Sequence, residues 1–232
     1  MNFIITGAGK GIGFETVKQL SKTHNTRILA ISRNVQRLNE LAEETNPLIS
    51  EVIPYSFDIV NGSIKNNLLP LIEELDFRID CLFNNAGAIV NKPFATCDTE
   101  DFNTVIKTNL EAPFRLIRDL LPFMNEEAHV VNAGSMGGVQ GSAKFPGLAL
   151  YSASKAAIAT LTECLAEELK EKKISVNCLA FGSVQTEMFS MAFPGFEAAL
   201  KSNTMAEFVS RFLIDGHKFF NGKILPVSVS TP

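Results

Sequence analysis

Short apolar segments alternate along this chain with longer segments in which apolar residues recur at helical spacing. The short segments carry few charges and are bounded by glycine or polar residues, which is typical of strands buried on both faces of a parallel sheet. The predicted strands lie at residues 3–6, 27–31, within 50–57, and at 79–83, 128–132, 174–179 and 224–227.

The longer segments predict helices at residues 12–22, 36–44, 63–74, 101–124, 152–172 and 206–213. Pro113 falls inside the fourth of them. Because proline has no N–H for the helical hydrogen-bond ladder, a kink is expected there.

The alternation of strand and helix predicts one α/β domain over residues 1–232, a doubly wound, Rossmann-type parallel sheet with helices on both faces. Sheets of this kind bind ligands outside the carboxyl ends of their strands. The loops that follow the strands are therefore where functional residues are expected.

Composition narrows the class of protein further. The chain has 232 residues, 46% of them hydrophobic, and a formal net charge of -4, which gives no electrostatic reason to expect a nucleic-acid partner. No apolar stretch reaches the roughly 18 residues that a membrane span needs. We expect a cytoplasmic protein without a membrane segment.

Cysteine and histidine give no sign of a metal site. The cysteines form no CxxC pair and no cluster with zinc-ligand spacing, and the histidines are isolated in sequence, so packing or surface roles are expected for both types. These residues are Cys81, Cys97, Cys164, Cys178, His24, His129 and His217.

A glycine-rich turn follows the first predicted strand, where residues 6–13 read TGAGKGIG. Glycine allows positive φ and close approach of the backbone to a phosphate, and the next helix begins there with unpaired N–H groups. The spacing Gly7-xxx-Gly11-x-Gly13 fits a pyrophosphate site, although a purely structural turn would leave the same pattern.

The end of the second strand indicates which dinucleotide is bound. A carboxylate there would bind the ribose hydroxyls, whereas a cation would meet a 2′-phosphate. Arg33 follows this strand, no acid does, and Lys10 lies in the glycine turn. Both side chains suit phosphate, which favours NADP(H) over NAD(H). The alternative is that both are solvated surface cations.

Tyr151 and Lys155 stand four residues apart on a predicted helix and therefore share one helix face. Tyrosine has an unperturbed pKa of about 10, and a nearby cation lowers that pKa. Tyr151 is thus a candidate general acid or base. Taken alone, this spacing is common on ordinary helix surfaces.

Three further polar positions accompany that pair. Ser135 follows the fifth strand, and residues 84–87, which read NNAG, follow the fourth. Each could instead cap its own loop backbone. Asn109 lies inside the long predicted helix, where asparagine is a poor helix former, so a role in binding water or a backbone carbonyl is one interpretation and an exposed helix residue is the other.

Together these residues resemble the classical short-chain dehydrogenases/reductases, in the right order over roughly residues 6–225. Residues 6–13 are similar to the TGxxxGxG cofactor turn of that family, and residues 84–87 to its NNAG motif. The positions that match its catalytic tetrad are Asn109, Ser135, Tyr151 and Lys155.

The resemblance implies a role for each tetrad residue. Tyr151 would donate or accept the proton, and Ser135 would orient the substrate oxygen. Lys155 would bind the nicotinamide ribose and lower the pKa of Tyr151. Asn109 would hold a water that extends a proton relay.

The resemblance also implies the cofactor contacts. Asp58 would meet the adenine amino group, and Val184 and Thr186 would lie at the carboxamide. The complete expected set is Gly7, Lys10, Gly11, Ile12, Gly13, Arg33, Asp58, Asn85, Ala86, Gly87, Tyr151, Lys155, Val184 and Thr186. Family members often assemble through their long helices, so a homodimer or homotetramer is expected.

The chain departs from the family pattern at several points, which include a somewhat long, glycine-rich stretch from Ser135 to Tyr151 and a degraded closing glycine-rich strand signature. Phe181-Gly182 stands where the family usually has Pro-Gly, and a short segment, residues 187–203, replaces a longer substrate lid. This lid is apolar, and if its side chains face the cleft rather than pack on the body, the substrate has an apolar portion. An acyl thioester, a small ketone and a ring ketone remain open.

The resulting hypothesis is an NADP(H)-dependent oxidoreductase that reduces a small-molecule carbonyl to an alcohol. A dinucleotide-binding sensor without catalysis is the alternative, although a sensor would be expected to have lost Tyr151 or Lys155. A scaffold protein on the same fold would bind no dinucleotide. Epimerases and dehydratases also use a tyrosine–lysine pair, but with a different glycine spacing and usually in longer chains.

Overall fold

A seven-stranded parallel sheet forms the centre of the protein, in the order β3-β2-β1-β4-β5-β6-β9. The computed structural model describes residues 1–45 and 49–229, so the remainder of the predicted domain 1–232 lies outside the described residues. The strands are β1 (Asn2–Thr6), β2 (Arg27–Ser32), β3 (Glu51–Ser56), β4 (Ile79–Asn84), β5 (Met124–Ser135), β6 (Ser175–Phe181), β7 (Val184–Gln185), β8 (Leu200–Lys201) and β9 (Ile224–Val227).

Helices cover both faces of this sheet. They are α1 (Gly11–Leu20), α2 (Val35–Thr45), α3 (Leu69–Glu74), α4 (Thr99–Ile106), α5 (Ala112–Leu120), α6 (Ala149–Glu168), α7 (Glu187–Ala192) and α8 (Ser202–Asp215). The predicted α/β class, the parallel sheet and the doubly wound arrangement are confirmed.

Alternating side chains of the strands build two separate cores. Ile5 and Phe83 point into a core shared with α1, α2 and α8, whereas their neighbours Ile4 and Leu82 point into a core shared with α3, α5 and α6. This follows from the two-residue period of a strand, which sends successive side chains to opposite faces. Both faces are apolar, which explains why the strands read as continuous apolar runs.

The strand order reverses between β1 and β4, which lie side by side. The chain connections on the two sides of this point cross opposite faces of the sheet. At such a switch point the loops after the two strands diverge and leave a crevice. The glycine turn follows β1 and the NNAG segment follows β4, so the fold brings these two motifs together at the crevice.

The long helix predicted at residues 101–124 is interrupted and ends earlier. A π-helical turn, Lys107–Glu111, separates α4 from α5 directly before Pro113, which cannot donate to the helical ladder. The helix closes with a short 3₁₀ turn around Pro122, and Met124 already belongs to β5. The predicted end at residue 124 was therefore wrong, because a second proline stops the ladder.

The segment predicted as a lid, residues 187–203, contains α7 and the short strand β8, which pairs with β7 in parallel. Its last two residues, Ser202 and Asn203, already belong to α8. The predicted helix 152–172 likewise ends at Glu168 and continues only as a 3₁₀ turn, Lys170–Lys172. In the described part of the chain, no helix is long and apolar enough to cross a membrane.

Phe83 tests the central packing, because its side chain is fully buried in the middle of the sheet. We expect Phe83→Ala to lower the free energy of unfolding by about 3–5 kcal/mol through lost burial and a residual cavity. Urea denaturation followed by circular dichroism measures this change. Phe94→Ala, at a ring that is 74% exposed, is the matched control and should cost about 0.5 kcal/mol or less. Equal losses in the two variants would contradict this packing.

Candidate active site

A cleft of about 1310 Å³ runs along the carboxyl ends of the strands, from the glycine turn to the lid segment. Most of the sequence-predicted site residues line it. They are Gly7, Lys10, Gly11, Ile12, Arg33, Asp58, Asn85, Ala86, Gly87, Ser135, Tyr151, Lys155, Val184 and Thr186.

Two predicted residues lie behind the wall of the cleft instead. Gly13 is buried in α1, where an added Cβ would stand 2.5 Å from the carbonyl oxygen of Gly7 and collide with the Asn85 amide. Its role is to let the turn pack closely. Asn109 is 1% exposed and reaches the cleft only through the residues it holds.

The glycine turn leaves the strand with Gly7 at φ 68° and enters α1 with Gly11 at φ 57°, conformations that favour glycine. A Cβ on Gly7 would lie 2.8 Å from the Cα of Ala86. The backbone of the turn thus forms an open cradle at the helix N-terminus, where unpaired N–H groups and the helix dipole favour an anion.

Hydrogen bonds between the first and fourth strand ends fix this turn. The Thr6 hydroxyl accepts the backbone N–H groups of Asn85 and Ala86, both at 3.1 Å. In return, the Asn85 side-chain amide donates to the carbonyl oxygens of Thr6 at 3.1 Å and Gly7 at 3.3 Å. Asn85 therefore supports the turn from below as well as lining the cleft.

Three cations surround the end of the cleft next to β2. Lys10 and Arg33 line it as predicted, and Arg37 joins them from the first turns of α2. The Arg37 guanidinium lies over the Phe14 ring at 4.9 Å and donates to Glu40 at 2.7 Å. Sequence reasoning missed Arg37, and because Arg33 lies before α2 begins, helical spacing gives no signal that would have joined the two.

Asp58 lies after β3, on the opposite side of the same end of the cleft. Burial raises the pKa of its carboxyl group, but hydrogen bonds from the Asn61 side chain and from the backbone N–H groups of Val60 and Asn61, with the charge of Arg33, hold that pKa below its usual value. The group is a carboxylate near neutral pH and can accept a hydrogen bond from an amino group.

Ser135, Tyr151 and Lys155 meet where β5 and α6 approach each other. The Ser135 hydroxyl lies near enough to the Tyr151 phenol to affect its pKa, and the Lys155 Nζ lies 5.7 Å from the centre of the Tyr151 ring. Lys155 is 5% exposed and donates to the carbonyl oxygen of Ala133 at 2.7 Å. The fold therefore brings a hydroxyl pair and a buried ammonium together at one wall of the cleft.

Burial dominates the protonation of this group. It raises the pKa of Tyr151 above its usual value, although the Ser135 hydroxyl lowers it in part. The resemblance implies that Lys155 lowers the pKa of Tyr151, but in this structure burial has the larger effect and the pKa is raised. Burial also lowers the pKa of Lys155 to about 8. Near neutral pH the phenol therefore keeps its proton, as a proton donor must.

Asn109 lies in the π-helical turn and connects three elements. Its side-chain amide donates to the Ala88 carbonyl at 2.8 Å and to the Ser154 hydroxyl at 2.9 Å, and its oxygen accepts the Ala88 N–H at 2.8 Å. The residue four positions further on is Pro113, which has no N–H to offer the Asn109 backbone carbonyl. Through its side-chain hydrogen bonds, Asn109 holds the loop after β4 against α6.

Val184 and Thr186 attach the lid segment to the cleft. Val184 is buried in β7, and the Thr186 side chain caps α7 by accepting the N–H of Phe189 at 3.1 Å. The Thr186 methyl group lies 3.2 Å from the position a Cβ on Gly11 would take, so the lid begins directly against the glycine turn. Next to it, Gly182 donates its N–H to Val227 at 3.0 Å, which continues the β6–β9 pairing past the unusual Phe181.

The histidines stand apart from the cleft. His129 and His217 are not isolated as expected, because their ring centres lie 5.7 Å apart beneath α8. Burial lowers the pKa of His129 to about 3, which keeps this ring neutral. Among the described residues, no group of histidine, cysteine and acidic side chains could hold a metal ion.

Comparison with known proteins agrees with this site. The family model described as short chain dehydrogenase matches residues 2–195. The 3-oxoacyl-[acyl-carrier-protein] reductase of Thermotoga maritima is 30% identical over 187 residues, which is 80% of this chain and 74% of that protein. The chain belongs to the short-chain dehydrogenase/reductase family, a family of oxidoreductases.

Solved structures show the same fold at low sequence identity. A short chain dehydrogenase from Burkholderia cenocepacia in complex with NADP has a TM-score of 0.87 at 22% identity, covering 97% of this chain and 95% of that chain. A 3-ketoacyl-(acyl-carrier-protein) reductase from Brucella melitensis complexed with NADH has a TM-score of 0.83 at 23% identity, covering 97% and 96%.

The lowered pKa of Lys155 predicts a pH-dependent stability. The folded protein releases this proton near pH 8, whereas the unfolded chain holds it to about pH 10.5, so stability rises with pH between these values. Relative to Lys155→Met, the wild type should gain about 2–3 kcal/mol in free energy of unfolding from pH 7 to pH 10.

Urea unfolding at pH 7, 8, 9 and 10 measures this difference. Tyr151→Phe in the same series accounts for the phenol, whose raised pKa acts in the opposite direction only above pH 10. Parallel pH profiles for the wild type and Lys155→Met would show that Lys155 is not buried as described.

Proposed function

We propose that this protein is an NADP(H)-dependent reductase that converts a carbonyl substrate into an alcohol, with Tyr151 as the proton donor. One observation carries the proposal. A single cleft connects a phosphate-binding cradle and three cations at one end with the Ser135–Tyr151–Lys155 group and an apolar lid at the other. This is the arrangement that a dinucleotide and a carbonyl compound need together.

The residues present fit a nicotinamide dinucleotide. The cradle at Gly7 and Gly11 would hold the pyrophosphate, because side chains there would fill the space or strain the backbone. Asp58 would accept a hydrogen bond from the adenine amino group, and Lys155 would bind the nicotinamide ribose. Bound in this way, the cofactor supplies the hydride. The other proposed contacts are Lys10, Ile12, Arg33, Asn85, Ala86, Gly87, Tyr151, Val184 and Thr186, with Gly13 allowing the turn to pack.

The cations at the β2 end support NADP(H) over NAD(H). Lys10, Arg33 and Arg37 line the cleft there, and residues 32–37 contain no acid that could accept the ribose hydroxyls. Arginine binds phosphate bidentately. The Burkholderia structure holds NADP and the Brucella structure holds NADH. Because these related proteins differ, the proposal depends on the cations of this chain.

The proton chemistry follows from the local geometry. Ser135 donates to the substrate oxygen and orients it, and Tyr151, protonated near neutral pH, gives its proton to that oxygen as the carbonyl is reduced. The Lys155 charge stabilises the resulting phenolate. Asn109, through its backbone carbonyl, would hold a water that returns a proton by way of Lys155.

A dinucleotide-binding sensor without catalysis is less well supported, because all four tetrad positions are filled and three of them converge on the cleft.

We further propose a homodimer or homotetramer, which is supported by the exposed rings of Phe102 and Phe114 on α4 and α5. A cytoplasmic location is proposed because all four cysteines are free. Segment 187–203 is proposed as the substrate lid.

Removal of the Tyr151 hydroxyl tests the catalytic assignment. We expect Tyr151→Phe to lower kcat/KM for carbonyl reduction by about 10²-fold or more, the usual contribution of a general acid, and to leave the Kd for NADPH within about threefold. NADPH absorbance reports turnover, and NADPH fluorescence reports binding.

Tyr55→Phe is the matched control, because the only other tyrosine of the chain donates to the Asn67 carbonyl outside the cleft. It should retain full activity. Normal turnover in Tyr151→Phe would overturn the proposed proton donor, and failure of the wild type to bind NADPH or NADH would overturn the proposed function.

Loss of a cation tests the cofactor preference. Arg33→Ala and Arg37→Ala should each weaken NADPH binding by about tenfold, since each removes a charge-assisted contact to the 2′-phosphate, and should barely change NADH binding. Fluorescence titration measures both affinities. Arg118→Ala, paired with Asp119 outside the cleft, is the control. Equal weakening of both cofactors would contradict a 2′-phosphate site.

A further inference from the structure

We infer that the substrate is an uncharged ketone or aldehyde that carries an aromatic ring. This inference rests on the proposed reductase function and names the substrate class of the same cleft. It comes from the wall opposite the cofactor end, where ring contacts, bracing hydrogen bonds and the sign of the charges all favour one kind of molecule.

Aromatic side chains form that wall. The Phe145 and Phe193 rings meet edge to face with their centres 6.3 Å apart, and the Phe189 and Phe193 rings tilt together at 5.1 Å. All three line the cleft, and so does Phe196, which is 70% exposed. Several aromatic rings thus line the same cleft as the catalytic group. An aromatic guest gains from stacked or edge-to-face contact with such rings, beyond the area that it buries.

The wall adjoins the reacting position. The Met188 Cε and the Lys155 Nζ lie 3.8 Å and 3.7 Å from the same point, the place a Cβ on Gly87 would occupy. Met188, the residue before Phe189 in α7, thus brings the lid next to Lys155, and the Phe189 and Phe193 rings line the same cleft as Tyr151. Hydride from NADPH would add to the carbonyl carbon and the Tyr151 proton to its oxygen, which gives an aryl-substituted alcohol and NADP⁺.

Hydrogen bonds brace the wall before any substrate binds. The Asn91 side chain donates to the Ala192 carbonyl at 2.7 Å and joins the loop after β4 to the end of α7. Lys92 donates its N–H to the Gly147 carbonyl at 3.0 Å, which ties the same loop to the segment that carries Phe145. A preformed wall loses little entropy on binding and selects by shape.

The charge on this side disfavours anionic substrates. The lid contributes Glu197 to the cleft and no cation, whereas the Glu187 carboxylate lies towards the glycine turn, 3.7 Å from the place a Cβ on Gly11 would take. Two lysines of the flanking loops are engaged elsewhere, Lys92 with Asp101 at 2.6 Å and Lys144 with the Val139 carbonyl at 2.7 Å. A thioester that carries phosphate groups would meet Glu197 without a compensating cation from the lid, which costs affinity.

Three substrates separate these features. Phenylacetone and cyclohexylacetone have the same carbon skeleton and differ in aromaticity, and acetoacetyl-CoA is an anionic thioester. With the wild type and NADPH, we expect kcat/KM for phenylacetone to exceed that for cyclohexylacetone by about fivefold, the scale of aromatic contacts, and that for acetoacetyl-CoA by more than about tenfold.

Variants connect the preference to the wall. Phe193→Leu should reduce the phenylacetone preference to about twofold or less, since both ring contacts pass through this residue. Phe219→Leu, at a ring that is 75% exposed and outside the cleft, is the control and should keep the preference. The variant Glu197→Gln should lower the KM for acetoacetyl-CoA severalfold.

A second readout does not require turnover. In the presence of NADP⁺, the thermal shift produced by 1-phenyl-2-propanol should exceed that of 1-cyclohexyl-2-propanol in the wild type, and the two shifts should be alike in Phe193→Leu. A preference for the saturated ring, or reduction of acetoacetyl-CoA as efficient as that of phenylacetone, overturns this inference but leaves the reductase function intact. The inference is also overturned if NADPH binds but neither neutral ketone is reduced and neither neutral alcohol binds. Absence of NADPH binding overturns the function itself.

Discussion

The hydrogen bonds that join the ends of β1 and β4 support both halves of the cleft. The Thr6 hydroxyl accepts hydrogen bonds from two backbone N–H groups of the NNAG segment. The Asn85 side-chain amide donates hydrogen bonds to the carbonyl oxygens of Thr6 and Gly7. The two loops belong to strands on either side of the switch point, where the fold alone would leave them apart. The phosphate cradle and the loop that carries Gly87 and Ala88 are thereby held as one unit, and Asn109 extends that unit to α6.

Burial sets the protonation states of Tyr151 and Lys155 on another wall of the cleft. It raises the pKa of the Tyr151 phenol, which therefore holds its proton near neutral pH, and it lowers the pKa of Lys155 to about 8. The two ends of the cleft also differ in charge, with cations beside β2 and Glu197 on the lid. This difference would direct the phosphate of the proposed dinucleotide and an uncharged substrate to different ends of one cavity.

Much of the fold could be predicted because its signals are local. Apolar runs bounded by glycine predicted the sheet, and the motifs around Gly7, Asn85 and Ser135 lie at strand ends, which the order of a parallel sheet places at one edge. The direction of the Tyr151 pKa could not be predicted, because burial depends on residues far away in sequence. Pro122 ends the long helix, but apolar residues continue past it to residue 124, so the apolar pattern alone predicts a later end.

The site shows the same division between local and distant information. Arg37 joins the cations only because the first turns of α2 direct it back towards Gly9, whose carbonyl it approaches at 3.4 Å. Gly13 was expected at the cofactor, but it is required where α1 packs on the turn, a distinction that spacing cannot make. The short strands β7 and β8 have two residues each, too few to leave a periodic signal.

A crystal structure of the NADPH complex tests the central claim most directly, namely that one cleft holds the dinucleotide with its reactive ring at Tyr151. The account predicts the pyrophosphate on the glycine turn, the 2′-phosphate between Arg33 and Arg37, and the nicotinamide beside Tyr151 and Lys155. A nicotinamide placed away from Tyr151, or a dinucleotide bound outside the cleft, would contradict it.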